Sequence, residues 1–375
     1  MSDWTFGNLT GEIWKRSSQN RPNSISANDP KSCFKRFTTR KSINKFSTSW
    51  LSSLAFVHKR LVWFLFLGFI SSIGSGCASL GPLQTAGIRN TDIVVDNFVF
   101  NSRQAGPKDG ELVILLHGFP ETSLQWRAQL RALGDSGYFA VAPDQRGYSP
   151  RARPLEIKAY DYNLLIDDVL AIASALGRDQ FHLVGHDWGA IVAWGIAARE
   201  PQRLKSLTVL SIPHPDAFAD ALTDPESCQY DASSYFETLT EDSIASWLLA
   251  FNAFALRTLV WGDIHPDAKD AYLKVLGTEE ALNAALNWYR ANLSQRQFRH
   301  KQIGAISVDT LFVASDSDAN VCPEPIKATA KYVTGPYRLE TLSNIDHWIP
   351  ERAPKRVNKL LLEHLGKNSF AIKDR

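Results

Sequence analysis

Methionine is almost missing from this 375-residue chain, where Met1 is the only one. Cysteine is scarce too. The four present (Cys33, Cys77, Cys228, Cys322) form no Cys-x-x-Cys pair and no Cys/His spacing that would hold zinc. A structural zinc is therefore not expected, and no other metal or cofactor is called for. Only Cys228 and Cys322 fall in the part that reads as folded; a disulfide between them fits the sequence, which does not demand one. No apolar run reaches the ~20 residues of a membrane-spanning helix. Strong net charge is also lacking, at +2, but this neutrality is unevenly built. Residues 1–60 hold 11 Lys/Arg against 3 Asp/Glu, which leaves 30 against 36 for the remainder. A mildly acidic body offers no basic footprint for nucleic acid. No internal repeat interrupts it.

What is present begins with that basic tail. Residues 1–56 are rich in Ser, Asn, Lys and Arg without a sustained apolar period, which predicts disorder. His58-Lys59-Arg60, the apolar run Leu61–Ile70 and a small-residue end through Ser79 make the pattern of an export signal. An uncleaved anchor over residues 61–80 is the alternative. Cys77 resembles the lipid-attachment cysteine of bacterial lipoproteins, with Gly74 where such signals carry Leu. Export or membrane anchoring is thus expected. Two competing accounts stay open: Val57 as the natural start of a bacterial protein, or a transit peptide in the tail. Either would make the protein cytoplasmic or organellar.

From about Gly87 strands and helices alternate. Ile93–Val95 and Phe98–Phe100 read as a first strand pair, followed by a linker, Gln104–Gly110. Strands are predicted over Leu112–Leu116, Tyr138–Ala142, Phe181–Val184 and Leu204–Ile212, with helices over Leu164–Leu176 and Trp188–Arg199. That rhythm implies a mostly parallel, doubly wound α/β sheet. It breaks after Pro213. Residues 214–303 read as helical and aromatic, with no convincing strand. The alternation resumes with a strand Thr310–Ala314, a helix Pro325–Tyr332, a strand Tyr337–Leu342 and a helix from Pro354 to about Leu365. The expected organisation is a core of residues 87–213 and 304–370 with a helical cap, 214–303, inserted between its halves.

Gly185-His186-Asp187-Trp188-Gly189 has the spacing of a nucleophile elbow, with Asp187 where a serine hydrolase carries Ser. Serine in such a turn attacks carbonyls. A carboxylate suits displacement at an sp³ carbon, leaving an ester on the enzyme. In doubly wound sheets ligands bind beyond the carboxyl ends of the strands, so polar groups at those ends are candidates. His117-Gly118-Phe119-Pro120-Glu121 follows one such strand, and its Phe119 N–H can join the Trp188 N–H as an oxyanion hole. Asp144-Gln145-Arg146-Gly147-Tyr148-Ser149 reads mostly as structural turns and pairing. Asp318 lies in Ser315-Asp316-Ser317-Asp318, with Asp316 as its rival. His347 follows the last strand. The order Asp187, Asp318, His347 is nucleophile, acid, base.

These motifs, with Leu286-Asn287-Trp288-Tyr289-Arg290 in the cap, resemble the soluble epoxide hydrolases of the α/β-hydrolase superfamily over residues 90–366. The resemblance implies an α/β-hydrolase fold, an epoxide as substrate, and Tyr289 and Tyr235 as cap tyrosines that hold the epoxide oxygen; the length and aromatic content of the cap suggest a small lipophilic substrate. Two positions depart from the family pattern. Asp346 stands where Gly usually precedes the catalytic histidine, and Ala314-Ser315 replaces the usual Trp-Gly ahead of the acid. A haloalkane or haloacid dehalogenase would use the same Asp/His/Asp set, and a non-catalytic binding homologue would keep the fold. Oligomeric state is not read from the sequence.

Overall fold

The computed structural model describes Leu83 and residues 85–294, 297–298 and 302–370. The basic tail, the 61–80 segment and Cys77 lie outside the described residues, and with them the expectations of disorder, export, anchoring and lipidation.

An antiparallel pair opens the fold: β1 (Arg89–Val95) and β2 (Phe98–Ala105). Both are longer than their apolar centres suggest. β1 is an edge strand with only Ile93 and Val95 buried, so its polar half gives no periodic signal. Gln104 and Ala105, expected in a linker, pair with the fourth strand instead. Next come β3 (Leu112–Leu116), α1 (Arg127–Asp135), β4 (Phe139–Pro143), α2 (Tyr162–Ala175), β5 (Phe181–His186), α3 (Trp188–Arg199) and β6 (Leu204–Leu210). Every residue of β3, β4 and β5 is buried, because helices cover both faces of a parallel sheet. α1 was not anticipated. Its buried stripe is only Gln129, Leu130 and Leu133 among arginines and small residues. By contrast α3 is apolar all round, with 10 of its 12 residues buried, as a central helix must be.

Between β6 and the ninth strand run α4 (Pro215–Thr223), α5 (Cys228–Ala232), α6 (Tyr235–Leu239), α7 (Ile244–Phe254), α8 (Pro266–Leu276) and α9 (Glu279–Asn292). A minimal antiparallel pair follows, β7 (Leu293–Ser294) and β8 (Gln297–Phe298), where the sequence indicated no strand. Two-residue strands carry no readable alternation. The core then resumes with β9 (Thr310–Ser315), α10 (Pro323–Ala328), β10 (Tyr337–Leu342), α11 (Ile349–Arg352) and α12 (Pro354–Phe370).

The eight core strands lie in the order β1-β2-β4-β3-β5-β6-β9-β10. All neighbours from β4 to β10 are parallel, and β2 alone runs against its neighbours. The chain steps from β3 out to β4 and then back across to β5, so the topological switch falls between β3 and β5. Leu116 and Gly185 are partners there, and the loops after these strands open side by side. Among the described helices none is by itself long and apolar enough to cross a bilayer.

The cap is fixed over this switch point largely by α9. Thr278 caps its start by accepting the Ala281 N–H, with Glu279 and Glu280 in the first turn, where the helix dipole favours acids. At the other end, the Trp288 indole donates to Arg146 O (2.8 Å), and Asn292 bonds both Tyr160 O and the Tyr162 N–H at 2.8 Å. Arg146 in turn pairs with the buried Asp168. The 144–149 turn is therefore structural, as expected, and one of its jobs is to seat the cap.

Candidate active site

β5 runs straight into the elbow. Asp187 sits at φ 51°, ψ −124°, a left-handed conformation that costs a non-glycine residue about 1–3 kcal/mol. The glycines around it permit the close approach: a Cβ on Gly185 would lie 2.3 Å from Gly189 O, and one on Gly189 2.2 Å from Leu116 O. The strained turn thereby holds the carboxylate clear of strand and helix.

One oxygen of that carboxylate is already engaged. The Phe119 N–H donates to Asp187 Oδ1 at 2.8 Å. The other oxygen, Oδ2, faces His347 Nε2 at 3.6 Å. On the far side of the imidazole, Nδ1 lies 2.9 Å from Asp318 Oδ2. Asp318 is further held by the Ser211 hydroxyl at 2.5 Å and the Asn320 N–H at 2.9 Å. The structure thus joins Asp187, His347 and Asp318 in one buried line. Asp316 stays outside it, bonded to the Asn344 N–H and the Ser317 hydroxyl at the surface.

The electrostatics follow from this line. Burial opposes ionisation at all three groups, but mutual attraction wins. His347 is raised well above its ordinary pKa against its own desolvation, by Asp318 and Asp187. Asp187 and Asp318 are lowered against theirs, chiefly by His347. The resting centre is an imidazolium between two carboxylates.

Aromatic rings cluster on Phe119 and Trp188, the two residues that flank the Asp187 carboxylate. Tyr289 lies edge-on between Phe119 (centroids 5.2 Å apart) and Trp188 (5.1 Å), with Phe236 at 5.9 Å. Burial raises the Tyr289 and Tyr235 phenols well above their ordinary pKa, and the Asp187 charge adds to this at both. Both phenols therefore stay protonated in the field of the Asp187 charge.

Residues 111–351 match the α/β-hydrolase fold family. Human epoxide hydrolase 4 is 31% identical over 70% of this chain and 74% of its own length. Epoxide hydrolase A of Mycobacterium tuberculosis is 30% identical over 70% of this chain and 92% of its own length. A crystal structure of an epoxide hydrolase from Bacillus megaterium superposes with a TM-score of 0.67 at 25% identity, covering 74% of this chain and 100% of that one. The chain is an epoxide hydrolase-like member of the α/β-hydrolase family.

This hydrolase handles its two departures from the family pattern locally. Asp346 turns from the imidazole to Arg352 (3.3 Å) and accepts the Trp348 N–H. Ser315 accepts the Ser317 N–H and shares its hydroxyl proton between Leu342 O and Ile345 O, which ties the Asp318 loop to the His347 loop.

Sequence reasoning missed several members of the hydrolase centre. Ser211, at φ 69°, reaches both Asp318 and His347 Nδ1 (3.0 Å); a lone serine after a strand gives no signal. His186 stands behind His347. Its Nδ1 accepts from Gln125 at 2.7 Å, so Nε2–H donates to His347 O at 2.9 Å. Burial and the His347 charge push its pKa down to about 4, which keeps it neutral. Its place in the elbow motif was the available clue. Glu121, at the end of the His-Gly-Phe-Pro-Glu motif, is fully buried and its pKa is raised by burial and by Glu351.

Proposed function

We propose that this hydrolase opens small lipophilic epoxides to vicinal diols through an ester formed on Asp187. The observation that carries this assignment is Tyr289, wedged between the rings of Phe119, whose N–H holds the Asp187 carboxylate, and Trp188, the residue that follows that aspartate. A carboxylate nucleophile opposed by protonated phenols is the arrangement that strained C–O cleavage requires.

In the first half-reaction Asp187 Oδ2 attacks an sp³ carbon of the oxirane while Tyr289 and Tyr235 hydrogen-bond the departing oxygen. Oδ1 becomes the ester carbonyl and keeps the Phe119 N–H. Esterification removes the Asp187 charge and with it one of the two carboxylates that hold His347 protonated. The imidazolium proton passes to the ring-opened alkoxide held by the phenols, and the neutral imidazole becomes a base. In the second half-reaction His347, oriented by Asp318, takes a proton from water, which attacks Cγ of the ester. The Phe119 and Trp188 N–H groups stabilise the tetrahedral oxyanion, an effect of roughly 3–4 kcal/mol per donor in comparable sites. The bond from Cγ to Oδ2 breaks, that oxygen takes the proton His347 received from water, and the diol leaves; the acid proton left on Asp187 returns His347 to its imidazolium form. No metal or cofactor enters this scheme.

The test is a single turnover of styrene oxide in heavy-oxygen water, with enzyme in excess. The diol is expected to carry ordinary oxygen, and the elbow peptide a gain of one heavy atom. A diol labelled in that first turnover refutes the ester. Halide release from haloalkanes without any epoxide turnover assigns the carboxylate to dehalogenation.

A further inference from the structure

Gln229 is a fully buried polar side chain that joins cap to core without any part in the scheme above. Gln229 is the only buried residue of the five-residue helix α5. A polar side chain therefore seats this helix where others use apolar ones. Its amide is satisfied in three directions. Nε2 donates to Asn320 O and to the Ser233 hydroxyl, both at 2.8 Å, and Oε1 accepts the Cys322 N–H at 2.8 Å. The preceding residue, Cys228, is disulfide-bonded to the same Cys322. Two successive cap residues thus grip both ends of the 320–322 segment.

Each end of this joint leads to the reacting groups. On the core side, Asn320 gives its N–H to Asp318, which orients His347. On the cap side, Ser233 O accepts the Phe236 N–H (3.1 Å), so the turn presenting Tyr235 starts on the residue that Gln229 holds. The Tyr235 ring packs edge-on against Phe236 (4.7 Å), and Phe236 faces Tyr289. α6 adds only Phe236 as a buried anchor. Without the amide, α5 keeps its disulfide at Cys228 but has no buried side chain to fix the height of Tyr235 above the sheet.

We propose that Gln229, a buried side chain clamped between the acid-bearing loop and the Tyr235 turn, is a positioning residue that sets the second phenol against the epoxide oxygen. This rests on the epoxide hydrolase assignment. It differs from a purely structural role in one measurable way: Gln229 acts through Tyr235, so its effect vanishes when the phenol is gone.

The experiment is a double-mutant cycle on the full chain with styrene oxide, combining Gln229→Met with Tyr235→Phe. Quenched single turnovers separate formation of the Asp187 ester from its hydrolysis. Gln229→Met is expected to slow ester formation about 10-fold, part of the ~10²-fold that a 1 Å misplacement can cost. Ester hydrolysis should stay within about two-fold, and in the Tyr235→Phe background Gln229→Met should add almost nothing. Ser233→Ala, which removes one of the three bonds, should show the same dependence at smaller size, and serves if Gln229→Met folds poorly. Losses that simply add, or equal losses in both half-reactions, overturn the assignment of Gln229 while leaving the epoxide chemistry standing. A wild-type protein that forms no ester with any epoxide overturns both.

Discussion

Gly118→Ala should disable the nucleophile without replacing any group that reacts. A Cβ built on Gly118 lies 2.3 Å from the Asp187 Cβ, 2.6 Å from Oδ1 and 2.8 Å from Cγ. A new rotamer does not relieve the first of these contacts, since the backbone sets where a Cβ lies. The Asp187 backbone is already constrained at φ 51° by strand and helix. Reaching ordinary contact at 3.4 Å requires the elbow and the Phe119 loop to separate by about 1 Å. A shift of that size costs about 10²-fold in a positioned reaction, or about 2.7 kcal/mol of barrier. It also lengthens the Phe119 N–H bond to Oδ1. The rate of ester formation, followed by rapid quench and peptide mass, should therefore fall about 100-fold while circular dichroism shows a folded protein. Gly366→Ala, where the added carbon meets nothing within 4 Å, is the matched control and should leave the rate unchanged. A Gly118→Ala enzyme that forms the ester at the wild-type rate would show that Asp187 is not confined as described.

Further outcomes concern the half-reactions and pH. Tyr289→Phe should lower ester formation about 10²-fold, the usual loss for one oxyanion-directed donor, and leave ester hydrolysis nearly intact; equal losses contradict its place in the first step. His347→Gln should let the ester accumulate, visible as a mass adduct on the elbow peptide, and rapid turnover without an adduct would move the base elsewhere. The charged triad also predicts the pH dependence of stability. His347 has a raised pKa, so its contribution is complete below its unfolded value of about 6.5 and is lost as pH rises through the folded one. Asp187 and Asp318 are depressed, so theirs is complete above about 3.8 and is lost as pH falls through the folded values. The melting-temperature difference between wild type and His347→Gln should thus be largest between about pH 4 and 6.5 and shrink at alkaline pH; a difference that grows with pH contradicts the ion pairing.

Much of the fold was legible because its central strands are continuous apolar runs and α3 begins at its motif. Phe181 opens β5 and Trp188 opens α3 where the sequence predicts them. What escaped was whatever depends on partners distant in the chain. α1 has too narrow an apolar stripe to stand out, and β1 is an edge strand whose polar half pairs through its backbone. Asp187, Asp318 and His347 were readable because their order and strand-end positions carry the information. Ser211 and Gln229 were not, since a serine and a glutamine gain meaning only when folding brings Asp318 and Cys322 to them. The Cys228–Cys322 bond was left open for the same reason: 94 residues of separation say nothing about proximity.

The single hydrogen bond from the Phe119 backbone to Asp187 carries a bookkeeping of atoms within it. It pins one oxygen of the side chain in place for the whole cycle, so each turnover hands the substrate the other oxygen and refills that same seat from solvent. The pinned atom never leaves. After hundreds of cycles in heavy-oxygen water the nucleophile should have exchanged one of its two oxygens and kept the other, an isotopic memory of which side of the carboxylate faces the histidine.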